Sequence, residues 1–473
     1  MQTVWQDRVK ACVQNRITAN TLAAFNTNVD VVVHLDQDKL GPLLANPRID
    51  FAAVERLLNT EIPEVHNENE FLAVLMQALQ EGKSVHIVLR DMAMLSWLEE
   101  VFPDRQESMG GQAGIIANQM AALGAHSVVY TALLSPKQAS MFFPEVDAPV
   151  VRGGELSIVG AREAARPQDE LKENWIFEYA KDERFELGGH VITTPRANRV
   201  ILATRPKGAV MAFDPETEQF LPDLGKAVDV AFLAGFHYAP AEEGALREYL
   251  ESSMANVRRL KSANPSLRLH FEYVPMSADE AEKTMLKAVA SEIQSFGINE
   301  NEIKRVLRIY GYEQEREAID SNECSYTLYD GSLKIMEELG FERFHLHNLG
   351  YYVVLVKKPY SVPLQQVREA CLYASSINAI KAKYGGYVRP EQLPEAGEIA
   401  LSSIGFKQLE VFAEEMKRRG VDVPGDFLEE GILEFASHAV LIVPAHVVPN
   451  PVSTVGMGDT ISSSAYSYEH SRR

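Results

Sequence analysis

Cysteine is scarce in this chain: Cys12, Cys324 and Cys371 are the only three in 473 residues. An odd number at such wide spacing argues against a disulfide framework or a cysteine-based zinc cluster, and a reducing cytoplasm fits best. Long apolar runs are also missing. No stretch of about 18 apolar residues occurs, so no membrane-spanning helix is expected. The opening residues Met1-Gln2-Thr3-Val4-Trp5-Gln6-Asp7-Arg8 lack the basic-then-apolar order of a signal peptide. Positive charge is in deficit, with 46 Lys and Arg against 66 Asp and Glu, a net charge of −20. Such a balance disfavours nucleic acid and anionic membranes and leaves small molecules as partners. A phosphorylated substrate then needs a local basic cluster that works against the global field.

What is present is an ordinary apolar content of 46%, enough for a sizeable core. The length calls for two domains, or one large domain with a lid. Apolar runs alternate with helical patterns, the signature of an α/β fold. Residues 21–26 and 29–33 read as an early strand interrupted by polar residues. Strands are expected over 84–89, 127–132, 228–233, 267–273, 352–356 and 439–443. Helices are expected over 113–123, 279–296, 300–311, 331–339, Leu364–Tyr384 and 405–419. Between about 145 and 220, short alternating runs separated by turn residues suggest a small antiparallel or mixed sheet set apart from the main one. The clearest loop spans 385–394.

Chemistry is concentrated in a few motifs. Near the C-terminus stands Asn450-Pro451-Val452-Ser453-Thr454-Val455-Gly456-Met457-Gly458-Asp459. A glycine turn opening a helix presents backbone N–H groups and the helix dipole to an anion. An aspartate beside that site is repelled by phosphate and suited to accept a hydroxyl proton. A structural glycine turn is the competing reading. In Asn26-Thr27-Asn28-Val29-Asp30, residues 26, 28 and 30 share one strand face. A polyhydroxylated ligand satisfies such a face, as does solvent at a strand end. Met109-Gly110-Gly111-Gln112-Ala113-Gly114 is a second glycine turn at a helix start, open either to a ligand or to a buried Gln. His270-Phe271-Glu272 and Asn299-Glu300-Asn301-Glu302 supply carboxylates suited to Mg²⁺, or plain first-turn acids. Lys172, Asn174, Arg199 and Arg205 offer either a sugar-phosphate clamp or exposed strand charge.

In combination, and in this order along the chain, these motifs resemble the ADP-dependent sugar kinases, the glucokinase and phosphofructokinase group with a ribokinase-like fold. The resemblance implies a large domain with a mostly parallel sheet between helices (1–33, 108–145 and 206–473) and a small β-rich lid (34–107 and 146–205). It implies ADP as donor, AMP as product and Mg²⁺ as cofactor. Asp459 is the expected base. The amides of Gly456, Met457 and Gly458 form the expected anion hole, and Arg205 reaches the transferred phosphoryl group. Glu272 and Glu302 organise the metal. Asn28, Asp30, Gly110, Gly111 and Gln112 hold the sugar. Adenine is expected beside 447–451, which includes Val448 and Pro449, and the loop after Asn348, with Val455 on the same side.

Two features favour the phosphofructokinase branch and fructose 6-phosphate. Lys172, Asn174 and Arg199 match that branch's grip on the 6-phosphate. By resemblance, His86 stands at the place of a glutamate with which the glucokinase branch recognises the unphosphorylated sugar. Trp175 occupies a place where some relatives carry a basic residue. A glucose-preferring or bifunctional kinase is the alternative. A catalytically silent nucleotide-binding regulator is the alternative of another class, and the presence of Asp459, Glu272 and Glu302 speaks against it.

Overall fold

Strands buried along their whole length need cover on both faces, and such strands make up the middle of the eleven-stranded larger sheet of the computed structural model. The structure describes residues 1–452 and 455–471; Ser453 and Thr454 of the C-terminal motif lie outside them. The sheet runs in the order Ile432–Glu434, His438–Pro444, Tyr351–Lys357, Arg343–Asn348, Ser295–Asn299, Arg268–Glu272, Val230–Ala234, Thr21–Phe25, Ser127–Tyr130, Val146–Arg152, Glu155–Gly160. Pairing is parallel from Arg343–Asn348 through Val146–Arg152 and antiparallel at both margins. Helix Met457–Glu469 packs on helices Leu364–Tyr384 and Gln112–Ala122, and on strand Arg268–Glu272. Among the described residues, no helix is long and apolar enough to cross a membrane.

A second, six-stranded mixed sheet has the order Glu64–Val65, Val85–Leu89, Asn198–Thr204, Glu173–Tyr179, Asn28–His34, Gln106–Gly110. It has its own hydrophobic core, separate from that of the larger sheet. Period-two alternation sorts its residues. Val31, Trp175, Phe177, Val200 and Leu202 point into that core, whereas Asp30, His86, Asn174, Arg199 and Ile201 take the opposite, less buried face. Trp175 is therefore a core residue, and its neighbour Asn174 faces the cleft.

Several expectations are corrected. Residues 21–33 are two strands in two sheets: the chain leaves the larger sheet at Phe25 and enters the smaller at Asn28. The Asn26 carbonyl accepts from Ala113 N at 3.0 Å, so it is unavailable for strand pairing. Residues 28–33 and 108–110, expected in the large domain, accordingly pair in the smaller sheet. Strands Val146–Arg152 and Glu155–Gly160, expected in the lid, extend the larger sheet, because Val146 and Ala148 continue its core. The helix expected to reach 296 ends at Ala290, and Ser295–Asn299 is a buried parallel strand. Short apolar runs do not separate helix from strand by periodicity alone. The 385–394 loop carries the start of a 3₁₀ segment, Pro390–Glu398.

Candidate active site

Open parallel sheets bind ligands beyond the carboxyl ends of their strands. Asn26, Gly235, Glu272, Asn299 and His347 all lie at or just past those ends, on one margin of the larger sheet.

Gly456, at φ +65°, caps helix Met457–Glu469. The left-handed conformation suits glycine, and a Cβ there would stand 2.9 Å from the Ile115 side chain. The first intrahelical bond runs from Thr460 N to Gly456 O at 3.0 Å, which leaves the preceding N–H groups without helical acceptors. Asp459 sits in this first turn. Its Oδ1 accepts from Gln112 Nε2 at 3.2 Å, and Gln112 comes from the second glycine turn. Burial first, and the charge of Glu272 second, raise the Asp459 carboxyl to about 7. A carboxylate poised there is suited to proton transfer near neutrality.

Glu272 is fixed from both sides. His347 Nε2 lies 2.7 Å from Oε1, and His270 Nε2 lies 3.2 Å from Oε2. His270 is itself held by Ser295 Oγ at 2.8 Å. Burial alone would raise this carboxyl, but the two histidines win and hold it at about 2. Glu302 stands in the first turn of helix Glu300–Tyr310 in a capping box with Asn299. Its Oε2 accepts from Asn299 N at 3.0 Å. Burial, and then the Glu272 charge, raise it to about 7. Two carboxylates that repel each other in a buried place suit a hard cation, which would remove the repulsion. Among the described residues, no cluster of three or more His, Cys, Asp or Glu is arranged to hold a metal alone.

The other wall carries polar and basic groups. Asp30 Oδ1 accepts from Asn28 Nδ2 at 2.6 Å and from Asn174 Nδ2 at 3.3 Å. Gly110 makes room for this pair, since a Cβ there would collide with both Asp30 and Asn28. Gly111, at φ +76°, passes so close to Asn26 O that a Cβ would stand 2.5 Å away. Burial raises Asp30 to about 6 against its hydrogen bonds and the charges of Lys172 and Arg199. Lys172 Nζ donates to Asn26 Oδ1 at 2.7 Å. Burial, then Arg205, lower this ammonium to about 7. His86 is lowered by burial, then by Arg205 and Lys172. Arg199 lies further along the strand, opposite Glu178. Among the described residues, no acid lies within ion-pair distance of Lys172, Arg199 or Arg205.

The residues expected beside the nucleotide lie along the same margin. Asn348 ends its strand with Nδ2 donating to Tyr351 Oη at 3.0 Å and Glu323 Oε1 at 3.2 Å. A bridge between Leu401 and His446 sets the turn before Ile404 beside the segment holding Val448 and Pro449. Leu349, Ile404 and Val455 are exposed apolar residues of this margin.

Sequence reasoning missed several residues. His347 fixes Glu272 from a strand that had no local signal beyond its His-x-His spacing. Buried Lys381 feels the Asp459 charge and donates to Gly386 O at 3.0 Å. The Tyr387 hydroxyl, raised to about 12 by burial, feels both Asp30 and Asp459, so the two walls look onto one space. His237 and Tyr238 follow strand Val230–Ala234 and reach the basic wall.

Comparison with known proteins agrees with this geometry. A family model described as the ADP-specific phosphofructokinase/glucokinase conserved region matches residues 19–468. The ADP-specific phosphofructokinase of Methanosarcina acetivorans is 31% identical over 452 residues, 94% of this chain and 91% of that protein. A solved structure of the last common ancestor of ADP-dependent phosphofructokinases from Methanosarcinales superposes with a TM-score of 0.89 at 30% identity, covering 100% of both chains. An ADP-dependent kinase in complex with fructose-6-phosphate and ADPβS superposes at 0.81 with 29% identity, covering 98% of each. The architecture is the ribokinase-like α/β fold expected from the motifs. The chain belongs to the ADP-specific phosphofructokinase/glucokinase family.

Proposed function

We propose that this protein is an ADP-dependent 6-phosphofructokinase, which transfers the β-phosphoryl group of ADP to the C1 hydroxyl of fructose 6-phosphate and releases fructose 1,6-bisphosphate and AMP. The observation that carries this reading is the set of unpaired cations. In a chain with 66 acids and 46 bases, Lys172, Arg199 and Arg205 form no ion pair with an acid among the described residues, although they stand around one polar cleft. Such groups await an anion.

In this reading Asn28, Asp30, Gly110, Gly111 and Gln112 hold the sugar. Lys172, Asn174 and Arg199 take the 6-phosphate, and His86 adds no carboxylate to repel it. Adenine lies against Leu349, Ile404, Val448 and Pro449, with Asn348 and Val455 at its margins. The smaller sheet closes over the sugar as a lid and excludes water. Asp459 accepts the C1 hydroxyl proton as the oxygen attacks the β-phosphorus, forming the new O–P bond while the bond to the α-phosphate oxygen breaks. The amides of Gly456, Met457 and Gly458 and the Arg205 guanidinium stabilise the charge on the transferring group. Glu272 and Glu302 would hold Mg²⁺, directly or through water, and the ion would supply neutralising charge for the phosphates. Three buried cysteine thiols fit a cytoplasmic location.

The base assignment has a pH signature. Only ionised Asp459 accepts a proton, and its carboxyl is raised to about 7. Lowering the pH below that value therefore protonates the base, and kcat/KM declines toward a tenfold loss per unit. A pH–rate profile flat between 5 and 8 contradicts the assignment.

Gly297 offers a test of the carboxylate pair. Its absent side chain leaves the space that the Glu272 carboxylate fills, and a Cβ would also stand 2.8 Å from Ser462 Oγ. Gly297→Ala displaces Glu272, and disturbed support for a metal ligand costs about 10–100-fold. The half-saturating Mg²⁺ concentration rises by that factor. An unchanged Mg²⁺ titration removes Glu272 from the metal site.

A donor-by-acceptor matrix tests the function itself, with ADP and ATP each against fructose 6-phosphate and glucose. Turnover with ADP and fructose 6-phosphate is expected to dominate. Glucose exceeding fructose 6-phosphate refutes the acceptor, and ATP exceeding ADP refutes the donor.

A further inference from the structure

Two cations lie on one ring. The Lys172 Nζ stands 4.9 Å from the Tyr238 ring centroid, and the Arg205 guanidinium carbon also stands 4.9 Å from it. The three residues come from different places. Lys172 immediately precedes strand Glu173–Tyr179, and Arg205 immediately follows strand Asn198–Thr204, both of the smaller sheet. The antiparallel register that pairs Ala203 with Asn174 brings these two side by side at one end. Tyr238 belongs to the 3₁₀ turn Phe236–Tyr238, which follows strand Val230–Ala234 of the larger sheet. His237 packs its ring 4.1 Å from that of Tyr238.

Two like charges held this close, one of them buried, repel each other. Among the described residues, the Lys172 ammonium donates one hydrogen bond, to Asn26 Oδ1. For Arg205, the Tyr238 ring is an attractive side-chain partner, and among the described residues no acid lies within ion-pair distance of it. The electron-rich face of a tyrosine attracts a cation without introducing the negative charge that would repel a phosphate. A carboxylate in its place would pair the cations and compete with the substrate.

We propose that Tyr238 is a positioning residue that holds Lys172, on the 6-phosphate side, and Arg205, on the side of the transferring group, in fixed relation to each other, and that it does so across the two sheets. The inference rests on the reading of fructose 6-phosphate as acceptor. Arg205 and Lys172 are then preset only when the smaller sheet lies over the larger, because the ring belongs to the larger. Binding of the sugar phosphate and closure are coupled through one side chain.

Three variants test this: Tyr238→Phe, Tyr238→Leu and Tyr238→Gln, assayed with fructose 6-phosphate and Mg-ADP. Loss of the ring in Leu and Gln is expected to raise the KM for fructose 6-phosphate about tenfold and to lower kcat, with the KM for Mg-ADP unchanged. Tyr238→Phe keeps the ring and recovers the KM, which a role of the hydroxyl would not allow. Two shapes without a ring guard against one of them failing to fold, and thermal midpoints identify such a failure. A wild-type KM in either ring-less variant overturns the proposal, as does a Phe variant as impaired as Leu. A wild-type enzyme inactive on fructose 6-phosphate overturns the acceptor reading instead, before any variant is compared.

Discussion

Asp459→Ala is expected to lower kcat with fructose 6-phosphate at least about 10³-fold, at the upper end of what a positioned general base contributes. The loss follows from what remains. The helix N-terminus keeps its amides, since the turn at Gly456 depends on its left-handed backbone conformation and on the absence of a side chain beside Ile115. Gln112 keeps its place at the start of helix Gln112–Ala122. Anion binding and orientation persist, so ADP affinity measured by calorimetry stays near that of the wild type while turnover collapses. Stability moves the other way. Asp459 carries a raised carboxyl because it is buried beside Glu272, and Glu302 is raised partly by the same Glu272 charge. Removing one carboxylate from this crowd relieves repulsion, and the thermal midpoint without metal rises. Active sites commonly trade stability for function in this way. Turnover near the wild-type rate sinks the base assignment.

Legibility from sequence divided along physical lines. The C-terminal turn was readable because its parts are adjacent: two glycines, an acid and a helix start within four residues report one local event. The Asn28–Asp30 pair was readable from period-two alternation alone, although the strand change between Phe25 and Asn28 was hidden, because a break between two sheets resembles a polar interruption within one. Strands Val146–Arg152 and Glu155–Gly160 were placed in the lid because short half-buried strands look alike in any sheet; which neighbour they pair with is set by contacts far along the chain. The same limit explains the missed residues. Lys381 lies 78 positions before Asp459, and Tyr238 meets Lys172 and Arg205 only after three segments fold together. One signal was available for Tyr238: an aromatic with a histidine immediately beyond the end of a parallel strand, where such sheets bind ligands. His347 carried a comparable signal at the end of strand Arg343–Asn348.

Lys172→Met is expected to raise the KM for fructose 6-phosphate by about 30–150-fold, the equivalent of about 2–3 kcal/mol for a charged hydrogen bond, and to leave the KM for glucose unchanged or lower. Methionine approximates the volume of the stem without the charge, so the smaller sheet's packing survives. Lys172 is 7% exposed, and its ammonium is held at about 7 by burial and by Arg205. Bound phosphate supplies the missing opposite charge and drives that value up, so substrate binding takes up a proton when the pH lies above about 7. The affinity of the wild type for fructose 6-phosphate therefore weakens as pH rises through that value, whereas the Met variant loses this basic limb and keeps the acid limb set by Asp459. Glucose, which carries no phosphate, is blind to both changes at position 172. A Met variant that binds fructose 6-phosphate as the wild type does, with its basic limb intact, would place the phosphate on Asn174 and Arg199 alone and remove Lys172 from the clamp.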